Sequence, residues 1–209
     1  MLFHFVIFFW SVAFFFGMWT IASDENISFW SGYLSSIGVL SLISLVSAKR
    51  ITKRLRNSFV PLLLSFSAPS LLSLIDAPGE KFAFSMLAAL MFYVAFLALY
   101  RLRFAPTDRT ARSLLSISAL AALFFFYSAA YGFYLNFSVP LATLVFMFAA
   151  GSFGAAYQTL YPILPKNRTR VALYSSVIAF SMGEISWMLS FWPFGYLTAG
   201  SAALGFFFM

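Results

Sequence analysis

The sequence predicts an all-α protein, a polytopic helical membrane bundle, and three observations carry that expectation. Hydrophobic residues make up 62% of the 209 positions and charged residues only 9%, against roughly 25% charged in soluble domains. A mean hydropathy of +0.91 over the whole chain leaves no room for a sizeable soluble domain. The basic residues are gathered into short loops between long apolar runs, the pattern that fixes membrane topology. Residues 1–209 therefore read as a single integral membrane domain.

A crossing helix needs about 20 mostly apolar residues. The first candidate covers residues 2–22 and lacks the basic start and small-residue cleavage site of a signal peptide, so it reads as a retained helix. The acidic loop at Asp24 and Glu25 separates it from the second, residues 27–48. The third, residues 58–75, contains Pro61 near its start and Pro69 mid-span, where a kink is expected. Serines 65, 67, 70 and 73 surround Pro69 and can serve carbonyls that the kink loosens. A polar turn from Asp76 to Lys81 leads to the fourth helix, residues 82–100. The fifth covers residues 113–134, with a turn expected at Asn136–Ser138. Pro140 opens the sixth, residues 140–161, at a tolerated position. The seventh covers residues 171–191, and Trp192-Pro193-Phe194-Gly195 breaks it. Residues 196–209 are too short to span untilted.

The basic loops fix the direction. Lys49, Arg50, Lys53, Arg54 and Arg56 form one cluster; residues 101–112 and 166–170 form two more. Of the 13 basic residues only Lys81 falls elsewhere. Moving such clusters across a bilayer is costly, so they stay on the cytoplasmic side facing lipid head groups. Asp24, Glu25, Asp76 and Glu80 then fall outside, and Trp19, Trp30 and Trp192 reach the outer interface. The expectation is seven full transmembrane helices plus a short or truncated eighth, with the N-terminus cytoplasmic.

Several function classes are excluded or disfavoured. The absence of cysteine rules out disulfides, thiolate metal sites and a cysteine nucleophile. No serine elbow, zinc-protease helix, phosphate loop or dinucleotide-binding glycine pattern is present. One histidine and six scattered acids scarcely supply a metal site. No cofactor and no nucleic-acid partner is expected.

Glu184 is the leading candidate for chemistry. It sits roughly 10 Å inside the end of the seventh helix, counted back from residue 191 at the helical rise. A carboxylate at that depth costs at least ~2.5 kcal/mol, so it is expected to face the bundle and to favour its neutral form. Ser181 is one turn away, and Gln158, Tyr157 and Asn136 are candidate hydrogen-bond partners. A proton, ion or polar-ligand site is one reading; a protonated Glu making structural hydrogen bonds is the other. The sixth helix carries small residues four apart, Ala150 with Gly154 and Gly151 with Ala155, which permit close helix packing. The seventh helix is the expected neighbour of the Gly154–Gln158 face.

The segment from Gly183 to Tyr196 (GEISWMLSFWPFGY) resembles the C-terminal signature of a family of small polytopic bacterial membrane proteins of unknown function. The resemblance implies a multi-pass protein of the bacterial cytoplasmic membrane whose chain continues past Met209, and it brings no activity. Two functional readings result. The first is a small transporter or permease-like protein handling an ion or small molecule through Glu184. The second is a non-catalytic scaffold or assembly subunit that binds lipids or partner membrane proteins.

Overall fold

The computed structural model describes residues 2–23, 34–52, 58–163 and 167–209. These form eight helices: α1 (Leu2–Ser23), α2 (Leu34–Thr52), α3 (Phe59–Leu72), α4 (Pro78–Phe104), α5 (Arg109–Phe137), α6 (Leu141–Leu160), α7 (Arg168–Leu189) and α8 (Tyr196–Phe208). No strand occurs among the described residues.

Five of the helices, α1, α4, α5, α6 and α7, are long and apolar enough to cross a membrane, and this corrects the expectation of seven full spans. One difference lies in α3, which has 14 residues and stops three residues after Pro69. At the helical rise it is about 21 Å long, short of a ~30 Å hydrocarbon core. Two of its serines bond back to their own helix, Ser65 donating to the Pro61 carbonyl at 2.9 Å and Ser70 to that of Phe66 at 2.7 Å, while Ser67 donates to the Ala122 carbonyl of α5 at 3.5 Å. The other difference is α2, which is described only from Leu34; Asp24, Glu25 and Trp30 lie outside the described residues. α8 is short, as expected, at 13 residues.

The long helices extend beyond their apolar runs because capping, not hydropathy, ends them. α4 starts with Pro78 at its first position and carries Arg101 and Arg103 in its last turn, where cations favour the negative end of the helix dipole. Asp108 caps α5 by accepting from the Thr110 amide at 2.9 Å. α5 runs through Asn136 and Phe137 and ends at Ser138 in the left-handed conformation, φ 52°, so the expected turn begins later than the sequence implied.

Cross-contacts show which helix ends lie together. His4 meets Tyr100 edge-on, Phe14 stacks on Phe92 and Trp19 meets Phe82, so α1 and α4 run antiparallel. Arg103 donates to the Ile51 carbonyl at 2.8 Å, joining the C-terminal ends of α2 and α4. Gln158 accepts from the Val60 amide, joining the end of α6 to the start of α3. All described basic residues except Lys81 therefore gather at one end of the bundle, and Asp76 and Glu80 lie with Lys81 at the other. Lys53, Arg54, Arg56 and Lys166 lie outside the described residues.

α5 is the hub and touches α3, α4, α6 and α8. At its contact with α8, a Cβ on Gly200 would run into the backbone of Ser128, 2.9 Å from its amide nitrogen. α8 is anchored at its start by Tyr196, whose hydroxyl donates to the Leu74 carbonyl at 3.1 Å.

Candidate functional site

α7 places Glu184, and the rest of the helix decides which way it points. Val171, Ser175, Ala179, Met182, Ser186 and Leu189 recur at intervals of three and four and are buried. This face is mostly small or apolar, and Gly183 beside it lets α6 approach, with Val145 3.4 Å and Ala149 3.8 Å from where its Cβ would be. Glu184 falls on the opposite side. It is exposed, as is Ser181, and it shares that face with Phe180 (76% exposed) and Trp187 (51%). The expectation that Glu184 faces the bundle is therefore corrected: close packing required the small residues inside, and the carboxyl took the remaining face. It lies five residues before the end of α7, about 8 Å along the axis, where the side chain can lean toward the interface.

The expected partners are elsewhere. Gln158 is 4% exposed, and its Oε1 accepts from the Val60 amide at 2.8 Å. It thereby satisfies a first-turn donor of α3, whose flanking Ser58 makes no side-chain cap. Asn136 is exposed and donates to the Gly132 carbonyl of its own helix at 2.9 Å. Tyr157 lies in a ladder of rings, with centroids 6.0 Å from Phe153 and 6.3 Å from Tyr161. Ser181 alone of the candidates stays beside Glu184.

The small residues of α6 serve different neighbours from the one expected. A Cβ on Gly154 would overlap the ring of Phe59 in α3, and one on Gly151 would reach Phe126 of α5 at 2.6 Å. Ala155 is buried and Ala150 is exposed. The Gly154–Gln158 face thus packs on α3, while α7 is met by the Val145–Ala149 face.

Between α2, α3 and α6 lies a cavity of about 400 Å³, walled by Leu45, Phe59, Leu62 and Phe153, with Gly154 and Tyr157 along its α6 side. A second, of about 310 Å³, lies between α7 and α8 and is lined by Ile185, Met188, Trp192 and Phe206 among others. Glu184 is in the wall of neither.

The sequence reading missed a buried polar seam. Tyr127 and Tyr131, one turn apart on α5, reach α6 and α7: the Tyr127 hydroxyl pairs with Ser152 Oγ at 2.7 Å, and that of Tyr131 donates to the Ser186 carbonyl at 3.3 Å. Phe148 stacks on Tyr127 at 4.4 Å and meets Tyr131 edge-on at 5.8 Å. The available signal was the spacing of two hydroxyl-bearing rings within one apolar run. Among the described residues no group of three or more His, Cys, Asp or Glu is placed to hold a metal ion.

Membrane-length apolar helices around a packed, hydroxyl-lined interior define a multi-pass helical membrane protein. Within that class, the chain belongs to the family described as "Protein of unknown function (DUF5656)", which matches residues 8–209. No curated protein and no solved structure matches the chain.

Proposed function

We propose that this chain is a non-catalytic assembly subunit of a membrane complex, with the outer face of α7 seated against a helix of a partner membrane protein. The outward position of Glu184 on a membrane-length helix carries this reading. A lipid-facing carboxyl costs about 2.5 kcal/mol or more on insertion scales. A partner helix that brings a cation or hydrogen-bond donor to the same depth offsets that cost. The described Lys and Arg residues on helices all lie within a turn of a helix end, so the reading draws a cation at this depth from a partner helix. The charge segregation supports a basic end facing the cytoplasm, with α1 starting there and the bundle forming one domain in the cell membrane. The transporter reading is less well supported, because Glu184 borders neither cavity and Gln158 is engaged in structure.

The test uses a photo-crosslinking residue at Ser181 in native membranes, with Glu184 intact and with Glu184→Ala. The expected result is one defined protein adduct that weakens at least about tenfold in the Ala variant, the equivalent of ~1.4 kcal/mol. Adducts with lipid alone, or with a second copy of this chain, reject the reading. The lack of cysteine makes a companion test simple. Strong labelling of Glu184→Cys by a membrane-impermeant thiol reagent, without any protein adduct, returns the weight to transport.

A further inference from the structure

The cavity between α2, α3 and α6 is a site of a different kind, and it goes beyond the α7 reading without depending on it. Its walls are apolar: Leu45 from α2, Phe59 and Leu62 from α3, and Phe153 from α6. Its α6 side is one helical stripe, since Ala150, Phe153, Gly154 and Tyr157 recur at three and four residues. Gly154 shapes the floor, because the absence of a Cβ lets the Phe59 ring lie against α6. The bond from the Val60 amide to buried Gln158 holds the start of α3 in place, so the walls are braced from behind.

The cavity also has a polar end. Lys49 follows Leu45 by four residues on α2, which puts it on the same face one turn toward the helix end, about 6 Å along the axis. Lys49 and Arg50 are exposed, and neither forms an ion pair among the described residues. Neighbouring Arg103 is engaged by the Ile51 carbonyl at 2.8 Å, so among the described residues of α2 and α4 Lys49 is the exposed cation on the Leu45 side, while Arg50 falls about 140° round the helix from Leu45.

An apolar slot of about 400 Å³ with a cation one turn beyond it on the same face of α2 fits an amphiphile with a greasy chain and a negative head. We infer that the slot between α2, α3 and α6 is a binding site for an anionic phospholipid, whose acyl chain lies along Leu45, Phe59 and Phe153 while its phosphate is held by Lys49. Charge complementarity selects this occupant over a zwitterionic lipid, because each basic side chain near a negative head group adds attraction that a neutral lipid does not return. Apolar walls with a cation only beyond one end likewise disfavour a soluble anion, which has no use for those walls.

The experiment takes the full chain in lipid nanodiscs of mixed phosphatidylglycerol and phosphatidylcholine, releases it into mild detergent and counts retained lipid by native mass spectrometry. Wild type is expected to retain phosphatidylglycerol in preference to phosphatidylcholine. Lys49→Gln should reduce that preference about fivefold. Lys81→Gln, at the opposite end, should leave it unchanged. Ala150→Trp fills the slot from an exposed position and should lower retention of both lipids, while Ala150→Ser keeps it. Equal retention of the two lipids by wild type overturns the inference. So does indifference to Lys49→Gln. A head-group preference that survives Ala150→Trp also overturns it, because attraction to the basic surface alone then accounts for binding.

Discussion

The inner face of α5 and the outer face of α7 both carry polar groups on apolar helices, yet they treat them oppositely. On α5 the Tyr127 and Tyr131 hydroxyls are buried and end on Ser152 and on the Ser186 carbonyl. On α7 the Glu184 carboxyl faces out of the bundle. The difference follows from what each group needs. One hydroxyl is satisfied by one partner, and in a helix the carbonyl a turn back commonly supplies it. Ser11, Ser85 and Ser118 each use it, at 2.8 to 3.0 Å. A carboxylate has several acceptor sites, and no helix backbone offers donors mid-length. Hydroxyls can therefore be sealed inside this bundle cheaply, whereas the carboxyl stays on the outer face.

Substitutions on the two faces test that contrast. The largest effect is expected from Tyr127→Ala, which removes a fully buried ring stacked on Phe148 and should lower stability by about 3–5 kcal/mol. Thermal unfolding in detergent measures it, and a loss under ~1 kcal/mol would mean that the α5–α6 seam is not a packed core. Gly200→Ala forces a Cβ into the Ser128 backbone and should cost about 1–3 kcal/mol in the same assay. If it unfolds like wild type, α8 is not docked on α5 as described.

Gln158→Leu keeps the volume but strands the Val60 amide, for an expected loss of about 1–3 kcal/mol. Hydrogen exchange at the start of α3 should rise with it, and unchanged protection there would show that the amide has another acceptor. Tyr127→Phe, which deletes only the hydroxyl, should cost about 0.5–1.5 kcal/mol. The smallest effect belongs to the outer face. Glu184→Gln should move the stability of the isolated chain by no more than about 0.5 kcal/mol. A large destabilisation would bring Glu184 back inside the fold and erase the contrast.

The sequence by itself determined the class of fold and the alternation of the chain. Apolar runs of membrane length and segregated basic loops are one-dimensional signals, because the bilayer acts on each segment separately. Helix ends were less legible, since hydropathy locates the apolar run while capping and dipole interactions carry the helix past it, as Arg101 and Arg103 do on α4. The length of α3 was hidden for a related reason: apolar residues continue beyond Leu72, but the chain leaves the helix there and Leu74 turns to pack against Gly132.

Only the tertiary structure decided which face of each helix turns inward. Glu184, Gln158, Tyr157 and Asn136 looked like one constellation on paper, and the fold sends them to four surroundings. Which face packs depends on the shapes of neighbours far away in the chain. Gly183 meets Val145 and Ala149, Gly154 meets Phe59, and Gly200 meets Ser128, and these fits set the rotation of α6, α7 and α8. In a membrane, where lipid is as apolar as the core, burying apolar area favours no particular face. Close packing of small residues makes the choice, and the cost of a single carboxyl did not outweigh it.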